Sequence, residues 1–276
     1  GLHLSKVDRL VLDEADKMFD DTFLEQIDAV LASCTHPAIV RCLFSATLPE
    51  KVEELARNFL REPLRVTVGE RGGACDLVAQ RLLYVGTEEG KLLGLRQLLS
   101  DGLAPPVLVF VQSQDRAEQL FQALRFDKLN VDVLHGGCSQ AHRERALEKF
   151  RLGQVWMLIT TELLGRGMDF KGVGMVVNYD CPTSRQEYVH RIGRTGRGGK
   201  RGQAVTLYTE EDTPHLRTIA SVMHASGSHV QPWMLQLKKG KRRGTKMVKR
   251  EDIISARLVG RKNQRPRGAG GKRKEA

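Results

Sequence analysis

Asp13-Glu14-Ala15-Asp16 follows directly on the apolar run Leu10-Val11-Leu12. Acids at the carboxyl end of a buried strand can hold Mg²⁺ on a nucleotide, one aspartate serving the metal while a neighbouring glutamate orients or deprotonates water. An acidic loop cap is the alternative. Far along the chain, His190-Arg191-Ile192-Gly193-Arg194-Thr195-Gly196-Arg197 spaces three arginines at intervals of three. That spacing brings side chains to one helical face, and guanidinium groups that cannot lose their proton suit a polyanion. The stretch is either a phosphate clamp, its glycines keeping the backbone open, or a solvated basic helix end.

Smaller polar clusters recur where strands should end: Ser45-Ala46-Thr47, His135-Gly136-Gly137 with Gln140 and Arg143, Thr160-Thr161-Glu162, and Arg166-Gly167-Met168-Asp169. A Gly-Gly turn at a helix start leaves free N–H groups for a phosphate backbone. An aspartate beside glycine can accept from ribose hydroxyls. Each cluster alone is commonly structural; several on one edge point to a site.

The elements that must position them alternate in type. Strands are expected at 7–12, 40–44 and 64–68, with helices over 22–33 and after Pro49. Residues 69–77, rich in glycine, break the periodicity and read as a linker. Beyond it, strands at 80–85, 107–111, 131–134, 156–160, 173–178 and 204–208 alternate with helices at 91–99, 115–124, 140–150, from Ser184 and at 212–225. That rhythm predicts an α/β fold of doubly wound parallel sheets, with strand carboxyl ends facing the ligand. The domains expected are 1–68, a linker 69–77, 78–226, and a basic disordered tail 227–276.

With 276 residues, 41% of them apolar, two cores are affordable. No run is long enough for a bilayer span and no signal peptide is evident, so an intracellular chain without membrane contact is expected. Five scattered cysteines with no Cys-x-x-Cys pair argue against disulfides and zinc. The net charge of +11 is concentrated: residues 238–276 hold 16 Lys and Arg against three acids, leaving the remainder near −2. Such a tail reads as an arm for nucleic acid or a nuclear address, with a plain solubilising tail as the alternative.

Taken in order, Asp13-Glu14-Ala15-Asp16, Ser45-Ala46-Thr47, the strand 107–113, 160–169 and 190–197 resemble motifs II to VI of the DEAD-box RNA helicases. The resemblance implies a partial first and a complete second RecA-like domain, ATP in the cleft between them and RNA across both. It implies that Asp13 serves Mg²⁺ through the nucleotide and Glu14 the attacking water. Asp16 would couple to Ser45 and Thr47, with His190 between the ATP and RNA surfaces. Gly167 and Asp169 would hold the nucleotide, Arg194 and Arg197 would reach the γ-phosphate, and Gly136, Gln140, Arg143 and Thr160 would touch the RNA backbone. The segment 226–234 with the basic tail is similar to the Rok-like members, which act in small-subunit ribosome assembly. That adds pre-ribosomal particles, a protein activator and a nuclear, nucleolar setting.

Three departures qualify the match. Glu162 stands where aspartate is common, and Asp115 follows Gln114 where a basic residue is frequent. None of the four Gly-Lys dipeptides has the flanking residues of a phosphate-binding loop. The chain is therefore expected to be the C-terminal part of a helicase and inactive alone, with unpaired strands leaving residues 1–68 marginal. The competing expectation is a non-catalytic RNA-binding or adaptor module.

Overall fold

A computed structural model describes residues 3–18, 23–67, 76–102, 105–162, 170, 172–238, 250 and 252–253. Among them no helix is long and apolar enough to cross a membrane.

The first unit comprises β1 (Arg9–Leu12), α1 (Ala15–Met18), α2 (Leu24–Ser33), β2 (Val40–Leu43) and α3 (Glu50–Phe59). β1 and β2 pair in parallel with Leu12 opposite Leu43, which sets the acids after β1 beside the hydroxyls after β2. The stripe Val52, Ala56, Phe59 of α3 is buried, and Leu12 and Ala15 pack with Val52 and Phe59. Each large side chain in that cluster contributes about 1.5–3 kcal/mol. α2 buries no residue, while Val11, Val40 and Phe44 are more than half exposed. An all-parallel sheet wants both faces covered, so this pair of strands is a sheet with apolar surface to spare.

The expected strand at 64–68 is a correction. Residues 64–67 form no strand, and Leu64 and Val66 are 90% and 76% exposed; Val68 lies outside the described residues. Leu64-Arg65-Val66-Thr67 alternates as a strand should, but alternation yields a strand only where another strand offers N–H and C=O groups.

The second unit runs β3 (Val78–Tyr84), α4 (Glu88–Ser100), β4 (Val107–Val111), α5 (Gln114–Phe126), β5 (Val131–Leu134), α6 (Gln140–Arg151), β6 (Met157–Thr161), β7 (Met175–Asn178), α7 (Arg185–Ile192), β8 (Gly202–Tyr208), a 3₁₀ turn (Glu210–Asp212) and α8 (Thr213–Ala225). Its six strands lie in the order β3-β8-β7-β4-β6-β5, every pairing parallel. Both faces are covered. Leu92, Leu95, Leu120 and Leu124 of α4 and α5 pack on one; Phe150, Tyr188, Ile219 and Met223 of α6, α7 and α8 pack on the other. All five residues of β4 are buried, as a central parallel strand requires. The strand-to-helix turns carry serine caps: Ser113, Ser139 and Ser184 accept from the N–H groups of Arg116, His142 and Glu187. Such a cap is worth about 1 kcal/mol and fixes where each helix leaves the carboxyl edge.

The tail expected to lack structure from residue 227 also needs correction. Pro232–Gln236 form a short helix, α9, whose Met234 is 4% exposed in the same core as α8, and Arg217 donates to the Leu237 carbonyl at 2.6 Å. Arg250 and Ile253 are buried against the second unit. The apolar residues Met234, Leu235 and Ile253 supply what docking needs.

Candidate functional site

Asp16 is one point where the two units touch. It sits in the first turn of α1 with 6% exposure, and its N–H donates to Ser45 Oγ at 3.3 Å. Ser45 Oγ in turn donates to the Thr47 carbonyl, and Thr47 Oγ1 donates to Asp16 Oδ2. The same oxygen accepts from Gln186 Nε2 at 2.6 Å and lies 3.0 Å from His190 Nε2, both on α7 of the second unit. Burial alone would raise the Asp16 carboxyl, but the bonds from His190, Thr47 and Gln186 outweigh it and hold the group well below the usual carboxylate range. The structure thus brings Asp16, Ser45, Thr47 and His190 together. Gln186 went unnoticed in the sequence, although it stands four residues before His190 and shares its helical face.

The acids before Asp16 face the arginines. Glu14 adopts a left-handed φ of 51° at the turn from β1 to α1, a conformation costing a non-glycine residue about 1 kcal/mol or more. Its Oε1 lies 3.5 Å from Arg194 Nη2, a side chain only 7% exposed. Asp13 is exposed, and its Oδ1 accepts from the Glu14 N–H at 2.8 Å. Arg197, also exposed, turns back to donate from Nε to the Gly193 carbonyl at 2.8 Å.

The expected three-arginine clamp is not what the fold builds. α7 ends at Ile192 with Gly193 as its C-cap, so the three-residue spacing stops being a helical face there. Arg191 is 3% exposed, lies over the Phe110 ring, donates to the Asp180 carbonyl at 2.8 Å and pairs with Glu187. It is a core residue. Gly196 is not there to keep the chain open either: at φ +70°, a Cβ on it would fall 2.5 Å from Val78 Cγ2. Glycine lets the arginine loop close onto β3.

On the second unit, Gly136 and Gln140 are exposed beside the carboxyl end of β5. Arg143 Nη2 donates to the Gly136 carbonyl at 2.7 Å, and Gln140 donates to Glu144 at 2.8 Å. The turn is seated by Gly137 N–H on His135 Nδ1, while His135 Nε2 meets Glu118 at 2.7 Å. Thr160 departs from its expected RNA contact: it has no exposure, and its hydroxyl donates to the Thr161 carbonyl. Lying inside β6, it offers no surface to a strand of RNA. Gly167 and Asp169 lie outside the described residues.

Two family models match the chain: the DEAD/DEAH box helicase model over residues 2–55 and the helicase conserved C-terminal domain model over 90–199. The chain is 52% identical over 237 residues to the probable ATP-dependent RNA helicase ddx52 of Dictyostelium discoideum, covering 86% of this chain and 36% of that protein. To the ATP-dependent RNA helicase ROK1 of Eremothecium gossypii it is 49% identical over 251 residues, covering 91% and 44%. It thus spans between a third and a half of these relatives' length. Among solved structures, Saccharomyces cerevisiae Dbp5 bound to RNA and ADP BeF₃ superposes with a TM-score of 0.72 at 30% identity, covering 83% of this chain and 60% of that one. With the acids and hydroxyls of the first unit meeting His190, Gln186 and Arg194 of the second at Asp16 and Glu14, the chain belongs to the DEAD-box RNA helicase family.

Proposed function

We propose that this chain is the nucleotide-responsive and RNA-holding part of an ATP-dependent RNA helicase. The observation that carries it is the pair of contacts joining the two units: Asp16 with His190 and Gln186, and Glu14 with Arg194. Each is made only when the units close. In that arrangement bound Mg²⁺–ATP would supply a cleavable phosphoanhydride bond whose charge needs stabilising. Among the described residues no group of three or more His, Cys, Asp and Glu could hold a metal. Exposed Asp13 alone fits a Mg²⁺ bound mainly through phosphates, which keeps one or two carboxylates. Glu14 is placed to orient water, and Arg194, desolvated beside it, to meet charge on the γ-phosphate. Arg197 reaches the same region only by leaving Gly193. Gly167 and Asp169 are assigned to the nucleotide by the motif match.

RNA would lie along the carboxyl edge of the second sheet, against the exposed Gly136 turn, Gln140 and Arg143. Thr160 and Thr161 end β6 with 0% and 7% exposure, so neither hydroxyl is open to RNA in this arrangement. The 30% identity to Dbp5, which was solved with RNA and ADP BeF₃, supports both ligands. Similarity to proteins named ROK1 supports the Rok-like branch, hence ribosomal RNA processing, pre-ribosomal partners and a nucleolar setting; similarity to Dbp5, solved also with gle1, supports a protein activator.

The chain contains no Gly-x-x-x-x-Gly-Lys-[Ser/Thr] loop, whose backbone and lysine cradle the β- and γ-phosphates. The 276-residue chain is accordingly expected to hydrolyse ATP at no measurable rate. Within a longer protein that carries such a loop, RNA-stimulated turnover is expected, lost with Glu14→Gln. Arg194→Ala is expected to slow it by ~10³ to 10⁵, as for an arginine finger, with nucleotide-free RNA affinity unchanged. Arg197→Ala in the same protein measures whether the bond to Gly193 is given up when nucleotide binds. RNA-stimulated turnover by the 276-residue chain itself, abolished by Glu14→Gln, would overturn the assignment. A longer protein that binds RNA yet never hydrolyses ATP favours the adaptor module.

A further inference from the structure

In an open α/β sheet, ligands bind in the crevice at the carboxyl ends of the strands where the strand order reverses. Here β5 and β6 lie to one side of β4 and β7 and β8 to the other, so the crevice opens between the ends of β4 and β7. It is occupied by the chain's own Arg250. Arg250 Nε donates to Gln112 Oε1 at 2.9 Å, just past β4, and lies 3.4 Å from Asp180 Oδ1, just past β7. Its Nη2 donates to Asp212 at 2.8 Å and its Nη1 lies 3.5 Å from Glu88. The side chain is 1% exposed.

The charges explain the choice of residue. Glu88, Asp180 and Asp212 are 12%, 1% and 0% exposed, and among the described residues their cationic neighbours apart from Arg250 are Lys91 and Arg116. Three buried acids against two bases leave an uncompensated negative charge, which is costly in a protein interior. Arg250 brings the cluster to three against three. Burial would lower its affinity for the proton, but Asp180, Asp212 and Glu88 more than reverse that. A planar guanidinium with five donors can serve Gln112 and three separated acids at once, which one ammonium cannot.

The contact extends beyond one side chain. Ile253 is 7% exposed in the core formed by α4 and α5. Its N–H donates to Gln119 Oε1 at 2.8 Å, and Gln119 Nε2 donates to Asp252 at 2.9 Å. The crevice therefore recognises Arg-x-Asp-Ile through a cation, a carboxylate and an apolar side chain. It also braces the turn from β4 to α5: the Gln112 N–H donates to Asp180 Oδ2. Two residues on, the Gln114 amide lies where a Cβ on Gly136 or Gly137 would meet it at 3.0 or 2.9 Å.

We propose that the switch-point crevice of the second unit is a peptide-arginine binding site, filled in cis by Arg250, Asp252 and Ile253 of this chain. The segment is an intramolecular ligand that completes the domain and fixes the turn supporting the Gly136–Gly137 pair. Neither family model covers it.

The test is amide hydrogen exchange on the full 276-residue chain. The Ile253 and Gln112 amides are expected to exchange at least ~10-fold more slowly than in an unstructured peptide, and Arg250→Ala to release Ile253 to the unstructured rate while speeding Gln112. Arg250→Lys is expected to restore part of the protection only. Since Arg250→Ala removes a cation, adding Asp212→Asn should return the cluster to balance, so that the double variant unfolds at a higher denaturant concentration than additivity allows. An Ile253 amide that exchanges at the unstructured rate in the unsubstituted chain overturns the proposal. So does full protection retained in Arg250→Ala, or strict additivity of the two substitutions.

Discussion

Asp16→Asn isolates the charge at the contact between the two units. The carboxylate Oδ2 accepts from Thr47 within its own unit and from Gln186 and His190 across the gap. Hydrogen bonds to a charged group contribute about 1.5–3 kcal/mol, against about 0.5–1.5 for neutral ones. An asparagine that keeps an acceptor oxygen in place thus gives up about 1–1.5 kcal/mol per bond. Two of the three bonds exist only when the units are together, so closure is weakened by about 2–3 kcal/mol, or about 30- to 140-fold in the ratio of closed to open molecules. Labels on cysteines replacing the exposed Ser33 and Leu152, with Cys42, Cys75 and Cys138 changed to serine, report that ratio by pulsed dipolar spectroscopy. His190→Ala in the same background is expected to cost about half as much, since it removes one of the two cross-unit bonds. A distance distribution for Asp16→Asn indistinguishable from that of the parent would refute the reasoning, because the buried carboxylate would then not be what holds the units together.

Two further outcomes follow from the same geometry. Truncation after Ile253 removes eight basic residues against one acid and is expected to weaken RNA binding without sequence preference and to flatten its salt dependence. Arg143→Ala is expected to weaken binding a fewfold with little change in that slope, both read by titration at several salt concentrations. For pH, the carboxyls of Asp16 and Asp180 are held below their ordinary values: burial acts upward on both, but His190 with Thr47, and Arg116 with Lys91, prevail. A depressed carboxylate stabilises above its unfolded value near ~3.9 and loses that contribution as pH falls through the folded value. Urea midpoints are therefore expected to hold from pH 8 to 5 and to drop below about pH 4; a fall already complete at pH 5 would point to other groups.

Periodicity was enough to place the second unit. β4 and β5 fall at the expected residues, because a continuous apolar run bounded by turn residues has few other ways to be buried. The meeting of Asp16 with Ser45 and Thr47 came instead from the family resemblance, and its physical reason is that two adjacent parallel strands end side by side. The failures share a cause. Leu64 to Thr67 alternate properly but have no strand to pair with; Arg191 sits at the proper interval from Arg194, yet the helix ends between them. In both, a local pattern was extended past the point where a neighbour had to confirm it.

Arginine makes that limit plain. Arg191, Arg194, Arg197 and Arg250 are the same side chain, and spacing favours the first three as ligand-binding while composition assigns the fourth to a disordered tail. The fold distributes them otherwise: Arg191 supports the core, Arg197 bonds its own turn, Arg194 crosses to Glu14, and Arg250 balances three buried acids. What separates these fates is the number of carboxylates each meets once water is excluded, a property of the fold and not of the interval. A trace of Arg250's fate was nonetheless present, for Asp252 and Ile253 give an acid and an apolar residue in a segment otherwise dominated by Lys and Arg. A solvated arm has no use for a buried isoleucine, and its presence close to an arginine marks a place in the tail where folding could offset the entropy of ordering it.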